Sequence, residues 1–311
     1  MGSIPLIISD LKYSRSKLQK AIEGLSKREL AEIKIYESWT IKDVLAHIIG
    51  WDQRTLHTIP LMLQNRAGEI QGVEVEEHNR ASVAAWRDKP LADVLAGLES
   101  TYRQLLEMIA RIDHIEIDRR RDRNGRIITI RSYVIDVMAE HDRQHAAEIE
   151  AWRQQLDRSI EPEAIIATLA QNRADFGAAL SGLSEVEIQA KSPGGGWSIQ
   201  EVVGHIADWE EVIFKTARHL HDPSCPPVSL EGSSIDDWNE LMVGRRAGQP
   251  WPDTIQALRD VQARLAEFIS HLKPGDWRLR GAYPWNDQGT LAELILTAAE
   301  HYLEHLPEVK R

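Results

Sequence analysis

The sequence has little cysteine, no long apolar run and no basic leader, and each absence limits what the protein can be. Its single cysteine, Cys225, cannot form an internal disulfide, as expected for a reducing cytoplasm. No run of about 18 apolar residues is present, so no transmembrane helix is predicted. The N-terminal segment lacks the basic region and long apolar stretch of a signal peptide. The sequence therefore predicts a cytoplasmic protein without a membrane partner.

Positive charge is also scarce. The chain carries 37 lysines and arginines against 48 acidic residues, which gives a net charge of −11. Nucleic acids and anionic membranes require concentrated positive charge, so neither is predicted as the main partner, and a small molecule is expected instead. The composition, 42% hydrophobic and 27% charged over 311 residues, is typical of a globular protein long enough for two domains.

The most prominent feature of the sequence is an internal repeat. Residues 39–52 read WTIKDVLAHIIGWD, and residues 197–210 read WSIQEVVGHIADWE at an offset of 158. EHDRQH at 140–145 matches EHYLEH at 300–305, and two residues inserted in the second copy account for the longer offset there. Two similar sequences predict two similar domains. We place these domains at 1–157 (copy 1) and 158–311 (copy 2).

Apolar periodicity predicts an all-α fold with four main helices in each copy, hence two tandem four-helix bundles. Thr40 with Asp43, and Ser198 with Glu201, form the pattern of a capping box at the start of the second helix. Strand signals are weak, apart from a short hairpin expected around Asn124-Gly125. The predicted helices cover 4–25, 40–64, 76–112 (interrupted near Pro90) and 131–156 in copy 1, and 161–182, 198–220, 233–272 (interrupted near Pro250 and Pro252) and 290–306 in copy 2.

Each copy contains six histidines, and three of them coincide when the copies are aligned. At this histidine frequency, chance predicts fewer than one coincidence. The two copies differ at most other positions, yet both have histidine at these three, which points to a shared function. The matched pairs are His47 with His205, His141 with His301, and His145 with His305.

The matched histidines lie on core-facing stripes of two helices. His47 shares a stripe with Ile48 and Trp51, while His141 and His145 are four residues apart and project from one helix face. A lone histidine on an apolar face is more often a hydrogen-bonded core residue, and that interpretation stays open. Three clustered imidazoles need partners, however, and a divalent metal would satisfy all three. We therefore predict a metal site in one or both copies.

Three protein ligands leave coordination positions open, which is typical of a catalytic rather than a structural metal site. Imidazole ligands suit zinc, nickel, iron or copper, and zinc or nickel is the expected metal. The zinc-protease motif HExxH is excluded, because Asp142 or Tyr302 follows the first histidine of each pair. A metal in such a site can lower the pKa of a bound water or thiol.

The segment W-[ST]-x-x-[DE]-V-x-x-H-I, followed by E-H-x-x-x-H on the last helix, resembles the DinB-like superfamily, and the resemblance covers both copies. Relatives there include bacillithiol and mycothiol S-transferases, the maleylpyruvate isomerase N-domain and the ClbS/DfsB self-resistance proteins. EHYLEHLPEV in copy 2 is most similar to the ClbS/DfsB branch. The resemblance implies a four-helix bundle per copy and a divalent metal on the three histidines. It also implies paired domains, within a monomer as an internal pseudo-dimer or in a homodimer.

Four further residues are candidates for orienting the metal ligands. Asp43 and Glu201 lie one turn before the first matched histidine of their copy, where they either cap the helix or hold the imidazole. Asn79 and Asn239 recur at the start of the third helix, where they either form a turn or hydrogen-bond a ligand. No residue outside the histidines stands out as a general acid or base.

A cluster of arginines precedes the last helix of copy 1. It forms either a solvated hairpin or an electropositive rim that attracts an anionic substrate or a thiol cofactor. Copy 2 has only Arg278 and Arg280 in that region, so the two sites are expected to differ. The cluster consists of Arg119, Arg120, Arg121, Arg123 and Arg126.

Several functions fit these features. The first is a metal-dependent enzyme of stress or detoxification that acts on small electrophiles, either as a hydrolase or as an S-transferase with a low-molecular-weight thiol. The second is a protein that binds or sequesters a small molecule in a metal-anchored cavity without turnover. In the third, one site is degenerate and the duplication is architectural. Fold alone does not choose among them.

Overall fold

The computed structural model describes residues 4–192, 196–232 and 234–310. The chain divides into two compact units, Met1–Leu156 (unit 1) and Asp157–Arg311 (unit 2). Each unit is a four-helix bundle with one small two-stranded hairpin, so the all-α tandem fold expected from the sequence is confirmed. None of the described helices is both long and apolar enough to cross a membrane.

Unit 1 is built from four long helical segments joined by short elements. The bundle consists of the first, third and fifth helices and the last helical segment, which contains a π-helical turn. In chain order the elements are α1 (Ile4–Ile22), α2 (Lys27–Ala31), α3 (Ile41–Leu63), a 3₁₀ turn (Ala67–Glu69), α4 (Val75–Trp86), α5 (Leu91–Ala110), α6 (His114–Ile117), β1 (Arg121–Arg123), β2 (Arg126–Ile128), α7 (Ile130–Val134), the π-helical turn (Ile135–Ala139) and α8 (Glu140–Arg158).

Unit 2 repeats this order with small differences. Its last helix is continuous, whereas the corresponding segment of unit 1 is divided by the π-helical turn. In chain order the elements are α9 (Pro162–Leu180), α10 (Glu185–Gln189), α11 (Ile199–His221), α12 (Ile235–Arg245), α13 (Trp251–Ser270), a 3₁₀ turn (Asp276–Arg278), β3 (Arg280–Tyr283), β4 (Asp287–Thr290) and α14 (Leu291–Val309).

The predicted third helix of each copy is two helices in the structure. In unit 1, α4 ends at Trp86 and α5 begins after Pro90; in unit 2, α12 and α13 are separated before Pro250. Proline lacks the amide that an interior helical hydrogen bond needs, and it is well tolerated only at a helix start. The interruption expected at these prolines is therefore a complete break.

The core of unit 1 is divided by a buried polar layer. Arg15 donates from Nε to Asp142 Oδ2 at 2.7 Å and from Nη2 to Asp52 Oδ2 at 2.9 Å, and each of the three side chains is only 2% exposed. One apolar cluster lies on the side of Leu11, and another lies on the side of Leu18. Because a buried charge is tolerated only when it is paired, this layer depends on all three members.

Unit 2 has a related layer with a different third member. Arg173 and Tyr302 both contact the carboxylate of Glu210, and Gln262 Nε2 donates to the Tyr302 hydroxyl at 2.8 Å. The Tyr302 ring also packs edge-on against Phe176, with centroids 5.5 Å apart. A phenol at the position that aspartate holds in unit 1 therefore adds apolar surface, and the buried core of unit 2 is one continuous cluster.

Both units have a hairpin just before the last helical segment. The hairpin expected in copy 1 is present as β1 and β2, but the hairpin of copy 2, β3 and β4, was not predicted from the sequence. Its strand β4 reads DQGT, without the β-branched run that marks a strand. Pairing with β3 and packing at the helix start override this weak local preference.

The π-helical turn in unit 1 accommodates one extra residue. Thr129 caps α7 and Thr290 caps α14, and the first histidine of the pair follows at His141 in one unit and at His301 in the other. The segment of unit 1 is thus one residue longer, and a π-helical turn is the usual way in which a helix absorbs a single insertion. The insertion lies immediately before the histidine pair.

The helices that carry His47 and His205 both begin with a capping box. Thr40 Oγ1 accepts from the Asp43 amide at 3.3 Å, and Ser198 Oγ accepts from the Glu201 amide at 3.2 Å. The carboxylates return the bond to the amides of Thr40 and Ser198 at 2.9 and 2.7 Å. These pairs fix where α3 and α11 begin, and therefore how far along its helix each histidine lies.

Loss of either cap is expected to destabilise its unit by about 1 kcal/mol. Thr40→Ala and Ser198→Ala each remove the acceptor for a first-turn amide, and urea unfolding measures the loss. Thr168→Ala is the control, because its exposed hydroxyl bonds only the Ala164 carbonyl of its own helix. Cap variants as stable as this control would contradict the structural role of the boxes.

Candidate metal centres

Three histidine side chains of unit 1 converge on one point, called here the first centre. His141 Nε2 lies 2.8 Å from His47 Nε2 and 3.0 Å from His145 Nε2. His141 and His145 come from successive turns of α8, while His47 comes from the facing helix α3. The structure therefore brings together the three histidines singled out in copy 1.

The second centre, in unit 2, has the same arrangement. His301 Nε2 lies 3.1 Å from both His205 Nε2 and His305 Nε2. His205 is carried by α11, and the other two histidines are carried by α14. In each centre, one nitrogen from every histidine lies within 4.8 Å of the others.

Burial keeps four of these imidazoles neutral by lowering their pKa. It lowers the pKa of His47 to about 4 and of His141 to about 3 in the first centre. It lowers the pKa of His205 and of His301 to about 3 in the second. In all four, at least one other histidine of the same centre lowers the pKa further. A neutral imidazole is the form that coordinates a metal, so little protonation opposes coordination at pH 7.

The donor set fits a divalent metal better than it fits a hydrogen-bonded core. His145 Nδ1 lies 2.8 Å from Glu148 Oε2, and a carboxylate can only accept, so the histidine proton is on Nδ1 and Nε2 carries a lone pair. His141 Nε2 carries at most one proton, which it can donate to His47 Nε2 or to His145 Nε2 but not to both. Metal–nitrogen bonds of about 2.0–2.1 Å place tetrahedral ligand atoms about 3.3 Å apart, close to the separations observed.

Glu148 and Glu308 are site residues that the sequence interpretation missed. They lie three residues after the second histidine of their pair, and Glu308 Oε1 is 3.2 Å from His305 Nδ1. Tyr36 donates its hydroxyl to Glu148 and so holds that carboxylate in place. Such a carboxylate fixes the tautomer of a ligand histidine and increases its basicity. The signal was present in both copies as E-H-x-x-x-H-x-x-E.

Of the two roles expected for Asp43 and Glu201, capping the helix or orienting a ligand, the structure shows the capping role. Their carboxylates bond Thr40 and Ser198 in the capping boxes, and Glu201 also pairs with Lys191. Asp43 and Glu201 stand one turn before the histidines, where the free amides of the helix start compete for a carboxylate. The capping boxes therefore occupy the carboxylates of Asp43 and Glu201. Glutamates on the last helix of each unit contact the histidines instead.

Asn79 and Asn239 hold tryptophans at the rims of the centres. Asn79 Oδ1 accepts from Trp51 Nε1 at 3.0 Å, and Asn239 Oδ1 accepts from Trp209 Nε1 at 2.8 Å. Both asparagines line the cavities described below, and Asn79 additionally opposes the burial-driven lowering of the His47 pKa through a side-chain hydrogen bond. The matched asparagines thus fix a tryptophan ring one helical turn after His47 on α3 and after His205 on α11.

The arginine cluster of copy 1 is neither wholly solvated nor a free electropositive rim. Arg121 is buried and donates to the Met62 carbonyl at 2.6 Å, and it also contacts Glu116. Arg119 pairs with the same glutamate, and Arg123 bonds the backbone carbonyl of Ile70. These three arginines have protein partners and do not form a free anion-attracting rim, and Arg121 ties the hairpin to the end of α3.

Each centre forms part of the wall of an open cavity. The cavity of the first centre has a volume of about 420 Å³, and that of the second has a volume of about 380 Å³. Such volumes suit a small organic molecule. The matched lining positions with identical residues are the three histidines, the tryptophan and the asparagine of each copy, namely His47, His141, His145, Trp51 and Asn79 in unit 1 and His205, His301, His305, Trp209 and Asn239 in unit 2.

Two helical bundles, each with three converging histidines beside an open cavity, define a tandem protein of the helical-bundle class that can hold a metal in each half. A family model described as the DinB superfamily matches residues 10–149 and again residues 168–309. The chain therefore belongs to the DinB superfamily and contains two such domains in tandem. No match is found among curated proteins or among solved structures.

Replacing the orienting glutamates is expected to weaken metal binding without unfolding the protein. Glu148→Gln and Glu308→Gln should each lower the affinity of their own centre for zinc about 10- to 100-fold, because a neutral amide polarises the imidazole less than a carboxylate does. Competition against a chromogenic chelator measures the affinity. Glu150→Gln is the control, since Glu150 is exposed on the same helix and lies outside the cavity. Equal affinities in Glu148→Gln and this control would contradict the orienting role.

Proposed function

We propose that the protein is a divalent-metal-dependent enzyme that acts on small electrophiles, as a thiol S-transferase or as a hydrolase. The observation that carries the proposal is the convergence of three imidazole nitrogens at the wall of an open cavity, found twice in one chain. Three histidine ligands leave coordination positions for a substrate or nucleophile. A purely structural metal site would close those positions with protein ligands.

The residues around each centre have distinct roles in this proposal. His47, His141 and His145 hold the metal in unit 1, and Glu148 keeps the proton of His145 on Nδ1. Trp51 lines the cavity and limits the access of water to the histidines. A bound divalent metal would supply Lewis acidity, which makes a water or thiol nucleophile available at neutral pH.

Turnover of a reporter electrophile tests the proposal. The protein, reconstituted with zinc or nickel, is incubated with 1-chloro-2,4-dinitrobenzene, with and without an added low-molecular-weight thiol. Thiol-dependent consumption supports the transferase, and consumption without thiol supports the hydrolase. The variant carrying both His145→Ala and His305→Ala is expected to lose either activity. Activity that persists in this variant would contradict the proposed mechanism.

The competing function is binding without turnover. A cavity of this size with a metal at its wall also suits a protein that sequesters a small molecule. Tight binding of a reporter by the metal-loaded protein, with no product formed over many hours, would favour sequestration. A panel of electrophiles of different size and polarity is needed for this comparison, because the reporter need not match the natural substrate.

A further inference from the structure

The two cavities have similar volumes but different walls. Apart from the identical residues and the apolar residues that have an apolar counterpart in unit 1, the cavity of the second centre is distinguished by Ile213, Trp285, Thr297 and Glu304. The cavity of the first centre is distinguished by the charged side chains Asp136 and Glu140, and by Gln144 at the position of Glu304. Since the histidines are the same, this difference concerns what each cavity holds rather than how the metal is bound.

Trp285 owes its place to the length of a hairpin turn. In unit 1, strands β1 and β2 are joined by Asn124 and Gly125, whose φ angles of 53° and 85° form a tight two-residue turn. In unit 2, strands β3 and β4 are joined by three residues, 284–286, and Asn286 takes the positive φ of 58°. The longer turn places Trp285 in the wall of the cavity, and unit 1 has no tryptophan in its turn.

Trp285 belongs to a connected group of aromatic rings. Its ring centroid is 5.8 Å from that of Trp209 and 5.0 Å from that of Tyr283. Trp209 is fixed in turn by its hydrogen bond to Asn239 and by Trp238, whose centroid is 4.5 Å away. The indole rings of Trp209 and Trp285 are therefore pre-positioned, and a ligand that contacts them orders few side chains on binding.

The first centre differs at the corresponding wall because of the π-helical turn. That turn contains Asp136 and Val137, and both line the cavity of unit 1. The inserted residue therefore changes which side chains of this helix reach the cavity. The first wall thus carries two carboxylates, Asp136 and Glu140, where the second carries one, Glu304, and burying a carboxylate against an apolar ring costs its hydration.

We propose that the second centre takes a planar aromatic substrate, stacked against Trp285 and Trp209, whereas the first centre takes a more polar one. This assignment of substrate class rests on the proposed function of the two centres. Planar rings are favoured over saturated rings of equal size, since offset and edge-on contacts with indole require an aromatic partner. Trp285 is accordingly the specificity-determining residue of the second centre.

Calorimetric binding of a matched pair of probes tests the assignment. The full-length protein, without added metal, is titrated with 2-naphthol and with its saturated analogue decahydro-2-naphthol. We expect 2-naphthol to bind about tenfold more tightly, and Trp285→Ala to weaken its binding about tenfold while Trp285→Phe retains most of it. Arg126→Ala, an exposed change in the hairpin of unit 1, is the matched control and is expected to have no effect.

Equal binding of the two probes, or an unchanged dissociation constant in Trp285→Ala, would overturn the assignment. Circular dichroism of the variants excludes misfolding as the cause of a loss, and retention in Trp285→Phe identifies the ring rather than the fold as the determinant. The probes need neither metal nor turnover, so the result is separable from the test of the proposed function. If the protein binds 2-naphthol through Trp285 but shows no turnover, the inference about substrate class stands and the proposed enzymatic function is rejected.

Discussion

Removing one histidine from a centre is expected to cost that centre its metal and to leave the other centre loaded. The wild type should contain about two metal ions per chain, and His145→Ala and His305→Ala should each contain about one. Two remaining imidazoles provide too few ligands for a metal that must also displace its hydration shell. The histidine ligands of each centre come from one unit alone, so the two losses should be independent. Elemental analysis of the purified proteins gives the ratios directly.

The unmatched histidines provide the controls for this experiment. His57→Ala in unit 1 and His271→Ala in unit 2 change exposed side chains outside both centres and should leave the metal content unchanged. A wild type without metal, after purification without chelators and reconstitution with zinc and with nickel, would mean that the histidines are core residues. The proposal of a metal-dependent enzyme would then have to be dropped.

Replacing Arg15 with an apolar side chain is expected to destabilise unit 1 by roughly 3–5 kcal/mol. Arg15→Met leaves Asp52 and Asp142 buried with no cation between them. Burial raises the pKa of Asp52 to about 6 even with Arg15 in place, and burial also raises the pKa of Asp142. Burial alone would lower the pKa of Arg15, yet the two carboxylates more than reverse this and its pKa lies above the ordinary value.

Pulse proteolysis in urea, with mass spectrometric identification of the fragments, measures this loss unit by unit. Unit 1 should become susceptible at lower urea in Arg15→Met, while unit 2 keeps its wild-type midpoint. Adding Asp52→Asn and Asp142→Asn should restore much of the stability, because no unpaired charge is then buried. Failure of this rescue, with the single variant still unstable, would assign the loss to packing rather than to charge.

The large-scale features of the molecule follow from signals that act locally or repeat along the chain. Apolar residues at helical spacing and capping boxes at Thr40 and Ser198 are read directly from the sequence, and they place the helices that carry the histidines. The spacing of four between His141 and His145 sets both on one helix face. Comparison of the two copies then added the third histidine, which no motif on a single helix would have supplied.

The remaining features depend on tertiary contacts that a linear sequence does not show. Glu148 recurs in copy 2 as Glu308, but only the structure shows that each glutamate contacts a histidine of its centre rather than solvent. Arg15 and Asp52 are 37 residues apart, and their pairing requires α1 and α3 to lie side by side. The hairpin turn of unit 2 is one residue longer than that of unit 1, and the π-helical turn adds one residue to unit 1. The two differences cancel before the histidine pair, so the offset between the aligned copies does not reveal them.

The divided core of unit 1 has a consequence for how the molecule opens. Hydrogen-exchange behaviour follows cooperative blocks, and a block ends where apolar contacts are interrupted. The plane of Arg15, Asp52 and Asp142 is such an interruption, and Asp142 directly follows His141 of the first centre. Unit 1 should therefore exchange as two subdomains that separate next to the histidines of this centre, whereas unit 2, with one uninterrupted cluster, should exchange as a single block. Duplication would thus have produced two similar sites in units that open by different local unfolding events.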